Sequence, residues 1–318
     1  MSKSISPPSA ETRSKFHFDT NRIPPVAFIL AAAVMWSTIG TSYRLILRHF
    51  DQVDSISLVT IRAIAATLML VGWLSWRNPQ ALRPPKESLP GFAIFGLLAI
   101  TGFYAVYAYA LEWSSVPIST VLLYLAPSIV GIGAALFLGE QFGLRQGVST
   151  LLAFAGCVLV VGLIGGNNEV TTKGIVAGLA SAVLYASFTL LGKPLMARYG
   201  SSSALVYHLI FGSIGLIVVS LIINGGIKAS LGAILVIGLF NGIFNTLLPI
   251  ASYSIGMQRM SAGTASTIAT LEPVLAIVLS WALLDESLGI VQILGAGLVI
   301  AAVVLLTWKR RNAEPVAP

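Results

Sequence analysis

Two charged residues lie deep inside long apolar runs of the sequence, and their types allow them to do chemistry. Arg62 lies about eight residues into the apolar run 54–76, and Glu272 precedes Pro273 midway through the run 261–284. An unpaired charge in a hydrocarbon environment costs at least about 3 kcal/mol. Each of the two residues is therefore expected to have either a function or a specific partner.

Each of these residues allows two interpretations. The planar guanidinium of Arg62 can bind a carboxylate with two hydrogen bonds, or it can bond helix-end carbonyls as a structural arginine. Glu272 can bind a proton or an ammonium group and so act as a coupling residue. Alternatively, it can be neutral and hydrogen-bonded where Pro273 interrupts a helix. The sequence leaves both pairs of alternatives open.

Polar and aromatic side chains add further candidates for the lining of a cavity. Ser261, Thr264, Thr267 and Thr270 are spaced three residues apart, which places small hydroxyls on one helical face. Such a face lines a wet cavity or packs against a neighbouring helix. The other cavity candidates are Trp36, Tyr104, Tyr107, Tyr124, Tyr185, Asn245 and Tyr253. Aromatic residues at membrane interfaces offer the alternative explanation for most of that group.

Two prolines, Pro127 and Pro273, fall within apolar runs. A proline inside a helix leaves carbonyls without partners, so a kink at each position is expected to border a cavity. His208 lies near the start of another run, where a packed or interfacial histidine is favoured over a proton relay. No nucleophile and base are paired in the sequence, so we predict no catalytic residue.

Composition identifies the class of protein that must position these residues. Of 318 residues, 56% are hydrophobic and 10% charged, and the mean hydropathy is +0.88. Soluble domains carry about 25% charged residues. The composition excludes a soluble globular protein, a disordered chain and a nucleic-acid binder. The single cysteine, Cys157, excludes an intrachain disulfide. No nucleotide-binding loop, HExxH, GxSxG or paired-cysteine motif occurs, so neither a metal site, a cofactor nor an enzyme is predicted.

The apolar runs predict ten transmembrane helices of an all-α integral membrane protein, since about 20 residues cross the bilayer core. They are 25–47, 54–76, 89–111, 115–138, 144–165, 173–196, 203–223, 229–256, 261–284 and 289–308. Residues 1–23 and 309–318 are predicted to be tails, the first of them disordered. Fourteen of the 19 Lys and Arg residues then fall on one side, which predicts that both termini are cytoplasmic, in a cell inner membrane.

The chain also contains a weak internal repeat. A shift of 146 residues aligns Tyr107 with Tyr253, Pro127 with Pro273, Glu140 with Glu286, Gly143 with Gly289, and Gln146 with Gln292. A shift of 149 residues aligns Trp36 with Tyr185 and Arg44 with Lys193. Each half, 24–165 and 173–308, has five spans. Because five is odd, the halves are predicted to be inverted around a central cavity, a plan common among secondary transporters.

These features resemble the EamA-type family of the drug/metabolite transporter superfamily. The resemblance is carried by two stretches, Leu125-Ala126-Pro127 to Leu138-Gly139-Glu140 and Leu271-Glu272-Pro273 to Asp285-Glu286, and by Arg62 in Thr60-Ile61-Arg62-Ala63. The second half has Phe211 where an arginine would match Arg62. The family resemblance implies export of amino acids or other metabolites, or movement of drugs or nucleotide-sugar-like solutes. It also implies that helices 1–4 and 6–9 enclose the substrate while helices 5 and 10 brace the edges.

The sequence therefore predicts a secondary transporter, which exports amino acids or related small metabolites by alternating access. The alternative is a membrane-embedded receptor or scaffold without flux. The expected partners are a small-molecule substrate and the lipid bilayer, with no nucleic acid. Neither the oligomeric state nor the substrate identity follows from the sequence.

Overall fold

The computed structural model describes residues 22–114, 116–161, 171–284 and 289–308, and this part of the chain contains helices without any β-strand. Ten long helices follow one another in it, and we number them in chain order. The undivided helices are helix 2 (Ser55–Arg77), helix 5 (Leu144–Val160), helix 6 (Thr172–Tyr199), helix 7 (Ser201–Asn224) and helix 10 (Ile290–Thr307). Three helices consist of two segments: helix 1 (Pro25–Ser37 and Ile39–His49), helix 4 (Val116–Leu123 and Ala126–Phe137) and helix 9 (Ala262–Ala269 and Leu271–Leu284). Helix 3 runs from Leu89–Gly96 to Phe103–Trp113, and helix 8 from Leu231–Val236 to Leu248–Gln258.

Most of these helices are long and apolar enough to cross a membrane. Nine in the described ranges meet that condition, while helix 5 is apolar but has 17 residues. Many of their large apolar side chains face outwards, among them Leu136, Leu144, Ile222 and Ile290. An outer surface of this kind is compatible with lipid and not with water. The chain is a multi-pass membrane protein.

Prolines and hydroxyl side chains divide three of the helices. A proline has no N–H to bond the carbonyl four residues before it. For Pro127 and Pro273 that carbonyl belongs to Leu123 and Ala269, and the first segments of helices 4 and 9 end at these two residues. Helix 1 is divided at Thr38, whose hydroxyl bonds the Met35 carbonyl at 2.7 Å and so competes with the backbone ladder.

Helices 3 and 8 contain wider π-helical turns at matching places. Residues Leu97–Gly102 of helix 3 and Ile243–Leu247 of helix 8 have this form. The shift of 146 residues that aligns the two halves of the sequence also aligns these two stretches. The same shift aligns Val116–Leu123 with Ala262–Ala269. The backbone irregularities thus recur at the spacing of the sequence repeat.

Helices 5 and 10 pack closely on each other. A Cβ atom on Gly156 would lie 2.7 Å from the Gly295 carbonyl oxygen, and one on Gly295 would lie 2.7 Å from that of Gly156. Only glycine allows two backbones to approach so closely. At one end of this pair, Arg145 donates from Nε to the Leu305 carbonyl at 2.6 Å, so the guanidinium neutralises the C-terminus of helix 10.

Candidate functional site

Aromatic side chains from five helices meet in the interior, and we call them the aromatic cluster. It consists of Trp36, Tyr43, Phe103, Tyr104, Tyr107, Tyr124, Tyr185, Phe188 and Tyr253. The rings of Trp36 and Tyr253 have centroids 5.6 Å apart. Phe103 lies 5.7 Å from Tyr107 and 5.2 Å from Tyr185. The cluster therefore joins helices of both halves of the chain.

Arg62 projects from helix 2 into this cluster and is only 3% exposed. Its guanidinium lies over the Tyr104 ring, 4.6 Å from the centroid, and Nη2 donates a short hydrogen bond to the Tyr104 hydroxyl. The Tyr43 hydroxyl is also within electrostatic range of it. Nε is buried and has no hydrogen-bond partner in the described part of the chain. The cation is thus fixed in place with one donor still unused.

Glu272 lies close to the same cluster. Its carboxylate interacts electrostatically with Arg62 and with Tyr107, Tyr124 and Tyr185. It makes neither a hydrogen bond nor an ion pair within 4.0 Å with any residue in the described ranges. The site therefore holds a guanidinium and a carboxyl group that are near each other without a direct hydrogen bond or ion pair. An arrangement of that kind suits a ligand carrying both charges.

Several aromatic side chains of the cluster are half-buried, although they lie on interior faces of the bundle. Trp36, Tyr104, Tyr107, Tyr124 and Tyr185 all have this intermediate exposure. Most of these side chains pack against the buried core on one side, and their partial exposure is compatible with a cavity on the other. An open pocket of about 530 Å³ lies elsewhere, lined by Asp51, Gln52, Val53, Asp54 and Lys228 at the connections after helices 1 and 7. The central cavity itself stays a prediction.

The hydroxyl face of helix 9 packs against helix 5. Thr267 is fully buried, and its Oγ1 accepts from Gln146 Nε2 at 3.2 Å and lies 3.1 Å from Thr150 Oγ1. Thr264 donates to Gln146 Oε1 at 3.0 Å, and Thr270 bonds the Thr267 carbonyl at 2.6 Å. Of the two interpretations from the sequence, this geometry favours packing over cavity lining for Thr267 and Thr270.

Asn245 also contacts a neighbouring helix. It donates from Nδ2 to Ser42 Oγ at 3.0 Å and to Asn241 Oδ1 at 2.7 Å, and its Oδ1 lies 2.8 Å from Thr38 Oγ1. All four residues lie where helix 1 is divided and where helix 8 has π-helical turns. Asn245 therefore joins the irregular parts of helices 1 and 8 and does not touch Arg62.

The prolines and the histidine lie beside the cluster. Pro127 and Pro273 lie in the first turns of the second segments of helices 4 and 9, three residues after Tyr124 and one after Glu272 respectively. The two divisions thus place the backbone turns at the level of the site.

His208 is buried and stacked on Phe95 at 4.0 Å between ring centroids, with Phe188 at 5.2 Å. This is the packed histidine that the sequence favoured.

Three cluster members were not predicted from the sequence, namely Tyr43, Phe103 and Phe188. Phe103 comes four residues before Tyr107, and Phe188 three residues after Tyr185, so each shares a helical face with a predicted member. That spacing is the signal that could have identified them. Tyr43 lies beyond the division of helix 1 at Thr38, which the sequence did not predict, so its direction could not be inferred.

Comparison with known proteins agrees with this architecture. The model of the EamA-like transporter family matches residues 23–162 and again 172–308. The chain belongs to the EamA-like transporter family. The two matches also show that the chain contains two copies of the EamA unit, which is the division that the sequence repeat indicated.

Relatives of this EamA protein carry transporter names. An "uncharacterized transporter" of Archaeoglobus fulgidus is 28% identical over 89% of this chain and 96% of its own. The "uncharacterized inner membrane transporter YicL" of Salmonella typhimurium is 26% identical over 89% and 95%. A "probable terminal-alkyne amino-acid exporter" of Streptantibioticus cattleyicolor is 26% identical over 90% and 95%. These are names of transporters and not of enzymes.

A solved crystal structure shares the fold of this EamA protein. It superposes with a TM-score of 0.77, covers 89% of this chain and 96% of its own, and is 17% identical in sequence. At that identity the likeness concerns the fold alone. The arrangement of helices therefore agrees with the fold of a solved structure, while the chemistry must be argued from the site.

Proposed function

We propose that this chain is a secondary transporter that exports amino acids or related small metabolites by alternating access. One observation carries the proposal: Arg62, held by Tyr104 with Nε unused, lies within electrostatic range of the Glu272 carboxyl group at the aromatic cluster. The exporter name of the Streptantibioticus relative supports the substrate class. The family of the chain supports transport.

In this proposal Arg62 and Glu272 each bind one charged group of an amino acid. The guanidinium of Arg62 binds the substrate carboxylate, because Nε and an Nη group present two parallel donors. Glu272 binds the ammonium group, or a proton when no ammonium is present. The aromatic rings, which have apolar faces and polar edges, enclose the side chain of the substrate.

Alternating access requires two halves that exchange conformations. We propose that residues 24–165 and 173–308 are five-helix repeats of opposite orientation in the membrane, with helix 5 as a full span. Both termini, 1–23 and 309–318, are then cytoplasmic tails. The recurrence of the π-helical turns and of the divided helices at a spacing of 146 residues supports this duplication. The divided helices border the site, so small rotations there would change access to it.

The test is substrate flux in proteoliposomes. The purified protein is reconstituted, and uptake of a panel of amino acids and small metabolites is measured with and without a pH gradient. Arg62→Gln is compared with Arg77→Gln, which removes a cation that is also stacked on an aromatic ring, Trp76, at the end of the same helix. We expect flux for the wild type and Arg77→Gln, and a loss of 100-fold or more for Arg62→Gln.

A receptor or scaffold without flux is the alternative. Binding of an amino acid in a calorimetric or thermal-shift measurement, with no flux for any member of the panel, would favour it and contradict the transport proposal. Flux that Arg62→Gln leaves unchanged would keep transport but overturn the site.

A further inference from the structure

Four residues join three helices at one end of the bundle, and we call this set the inner clamp. Lys193 of helix 6 forms an ion pair with Glu140, which follows helix 4. Its Nζ also donates to the Met260 carbonyl at 2.7 Å. The second carboxylate oxygen of Glu140 accepts from the Ala262 amide at 2.7 Å. Both side chains of the ion pair are therefore bonded to the connection between helices 8 and 9 as well as to each other.

The local sequence explains how Glu140 reaches this position. Gly139 has φ +68°, a left-handed conformation that glycine adopts without cost, and it ends helix 4. The chain then turns, and the Glu140 carboxylate reaches the N-terminus of helix 9, where the helix dipole favours a negative charge. A carboxylate just after the C-terminus of helix 4 is disfavoured by the dipole of that helix, so Glu140 requires a specific partner. The structure supplies two partners, Lys193 and the Ala262 amide.

The clamp lies beside a close approach of helices 4 and 9. A Cβ atom on Gly263 would lie 3.1 Å from the Cα atom of Gly131. The ion pair and this backbone contact hold the ends of helices 4, 6 and 9 together at this end of the bundle. The two charged side chains are about one-fifth exposed, at 21% for Lys193 and 18% for Glu140. A pair that keeps some access to water is easier to separate than a fully buried pair. Such a pair can break during a transport cycle.

We propose that Glu140 and Lys193 form a gate that holds the cytoplasmic end of the bundle closed and opens to admit substrate. The inference rests on the proposed function for its direction, because that proposal places Lys193 at the cytoplasmic end. The sequence repeats both charges, with Arg44 aligned with Lys193 and Glu286 with Glu140. The side chains of Arg44 and Glu286 lie outside the described residues. The presence of arginine in the other half indicates that a cation, rather than lysine itself, is what the gate requires.

Accessibility of the site from each side of the membrane tests the gate without knowledge of the substrate. Cys157 is replaced by serine, and Tyr185→Cys serves as a reporter eight residues from Lys193 on helix 6. A membrane-impermeant maleimide is added to inside-out vesicles, and then to cells, to label the reporter from either side. Lys193→Gln and Glu140→Gln are compared with Lys193→Arg. Arg198→Gln is the matched control, because it removes a cation of the same helix that is stacked on Tyr199.

The gate predicts a specific pattern of labelling. Lys193→Gln and Glu140→Gln should label at least fivefold faster from the cytoplasmic side, while Lys193→Arg and Arg198→Gln should label at the background rate. Glu140→Gln keeps an oxygen that can accept from the Ala262 amide, so it removes the ion pair with the least disturbance to helix 9. Glu140→Ala removes both contacts and should show the largest increase.

Two results would overturn the gate. One is an unchanged cytoplasmic labelling rate in both Lys193→Gln and Glu140→Gln. The other is loss of folded protein in both variants, measured by size-exclusion chromatography in detergent, since the pair would then hold the fold. Failure of the proposed function is a separate result. It appears as an absence of flux in the wild type, whatever the labelling pattern.

Discussion

The guanidinium of Arg62 is held by Tyr104 in two ways at once, through the face of the ring and through the hydroxyl. Both contacts fix the direction of the guanidinium and leave its positive charge uncompensated. A carboxylate partner would neutralise that charge. Helix 2 supplies the arginine and helix 3 the tyrosine, so the site depends on how these two helices pack. A pre-oriented cation of this kind binds an anion with little loss of side-chain entropy.

Substitutions of Tyr104 separate the two contacts. Tyr104→Phe keeps the ring under the guanidinium and removes the hydroxyl, so we expect the KM for the transported substrate to rise about threefold, from the loss of one hydrogen bond. Tyr104→Leu removes both contacts, and we expect a rise of about tenfold or more. Initial rates of flux against substrate concentration measure both. Tyr109→Leu is the control, since Tyr109 stacks on Trp113 near the end of the same helix. An unchanged KM in Tyr104→Leu would contradict the role of Tyr104.

Replacement of Glu272 tests coupling. In the described part of the chain it is the one acidic residue within the aromatic cluster. If its carboxylate carries a proton during the cycle, Glu272→Gln should abolish the effect of a pH gradient on flux while exchange of labelled substrate continues. Flux with and without an imposed gradient of about one pH unit measures this, with Glu112→Gln, an exposed residue at the end of helix 3, as the control. A pH effect that survives in Glu272→Gln rules out that role.

Thr267 distinguishes packing from cavity lining. Because its hydroxyl is buried against Gln146 and Thr150, Thr267→Val removes one hydrogen bond from each of them, while the bond of 3.3 Å between Gln146 Nε2 and Thr150 Oγ1 remains, so we expect a cost of about 0.5–1.5 kcal/mol. We expect a lower melting temperature in detergent and an unchanged KM. Thr307→Val is the control, because that hydroxyl bonds only its own helix. A changed KM with an unchanged melting temperature would instead place Thr267 in the cavity.

The positions of the helices follow closely from the sequence, because hydropathy acts over about 20 residues and is insensitive to detail. The predicted run 54–76 became Ser55–Arg77, and 203–223 became Ser201–Asn224. Arg62 and Glu272 were singled out because a charge in an apolar run is conspicuous, and their role in a site stays a prediction. The count of ten spans stays a prediction, as helix 5 has 17 residues.

The sequence did not distinguish side chains that line space from those that pack. Thr267 and Asn245 were grouped with the cavity because small polar residues suit both environments. Which of the two applies depends on the rotation of helices 8 and 9 about their axes, and that rotation depends on the π-helical turns and on the division before Leu271. Neither the π-helical turns nor the division before Leu271 can be recognised from the hydropathy of the sequence. The contact between Glu140 and Lys193 could not be predicted from the sequence either, because 53 residues separate them.

The contact of helices 5 and 10 predicts that replacing glycine with alanine has opposite effects on stability at two nearby positions of helix 10. At Gly297 no atom lies within 4 Å of an added Cβ, so Gly297→Ala should stabilise the helix by about 0.5–1 kcal/mol through lower backbone entropy in the unfolded chain. At Gly295 the added atom would lie 2.7 Å from a backbone oxygen of helix 5, which cannot move aside as a side chain can. Gly295→Ala should therefore cost about 1–3 kcal/mol. The melting temperatures of the two variants in the same detergent test this prediction. Relative to the wild type, we expect a higher melting temperature for Gly297→Ala and a lower one for Gly295→Ala. If both variants melt alike, helices 5 and 10 are not in backbone contact.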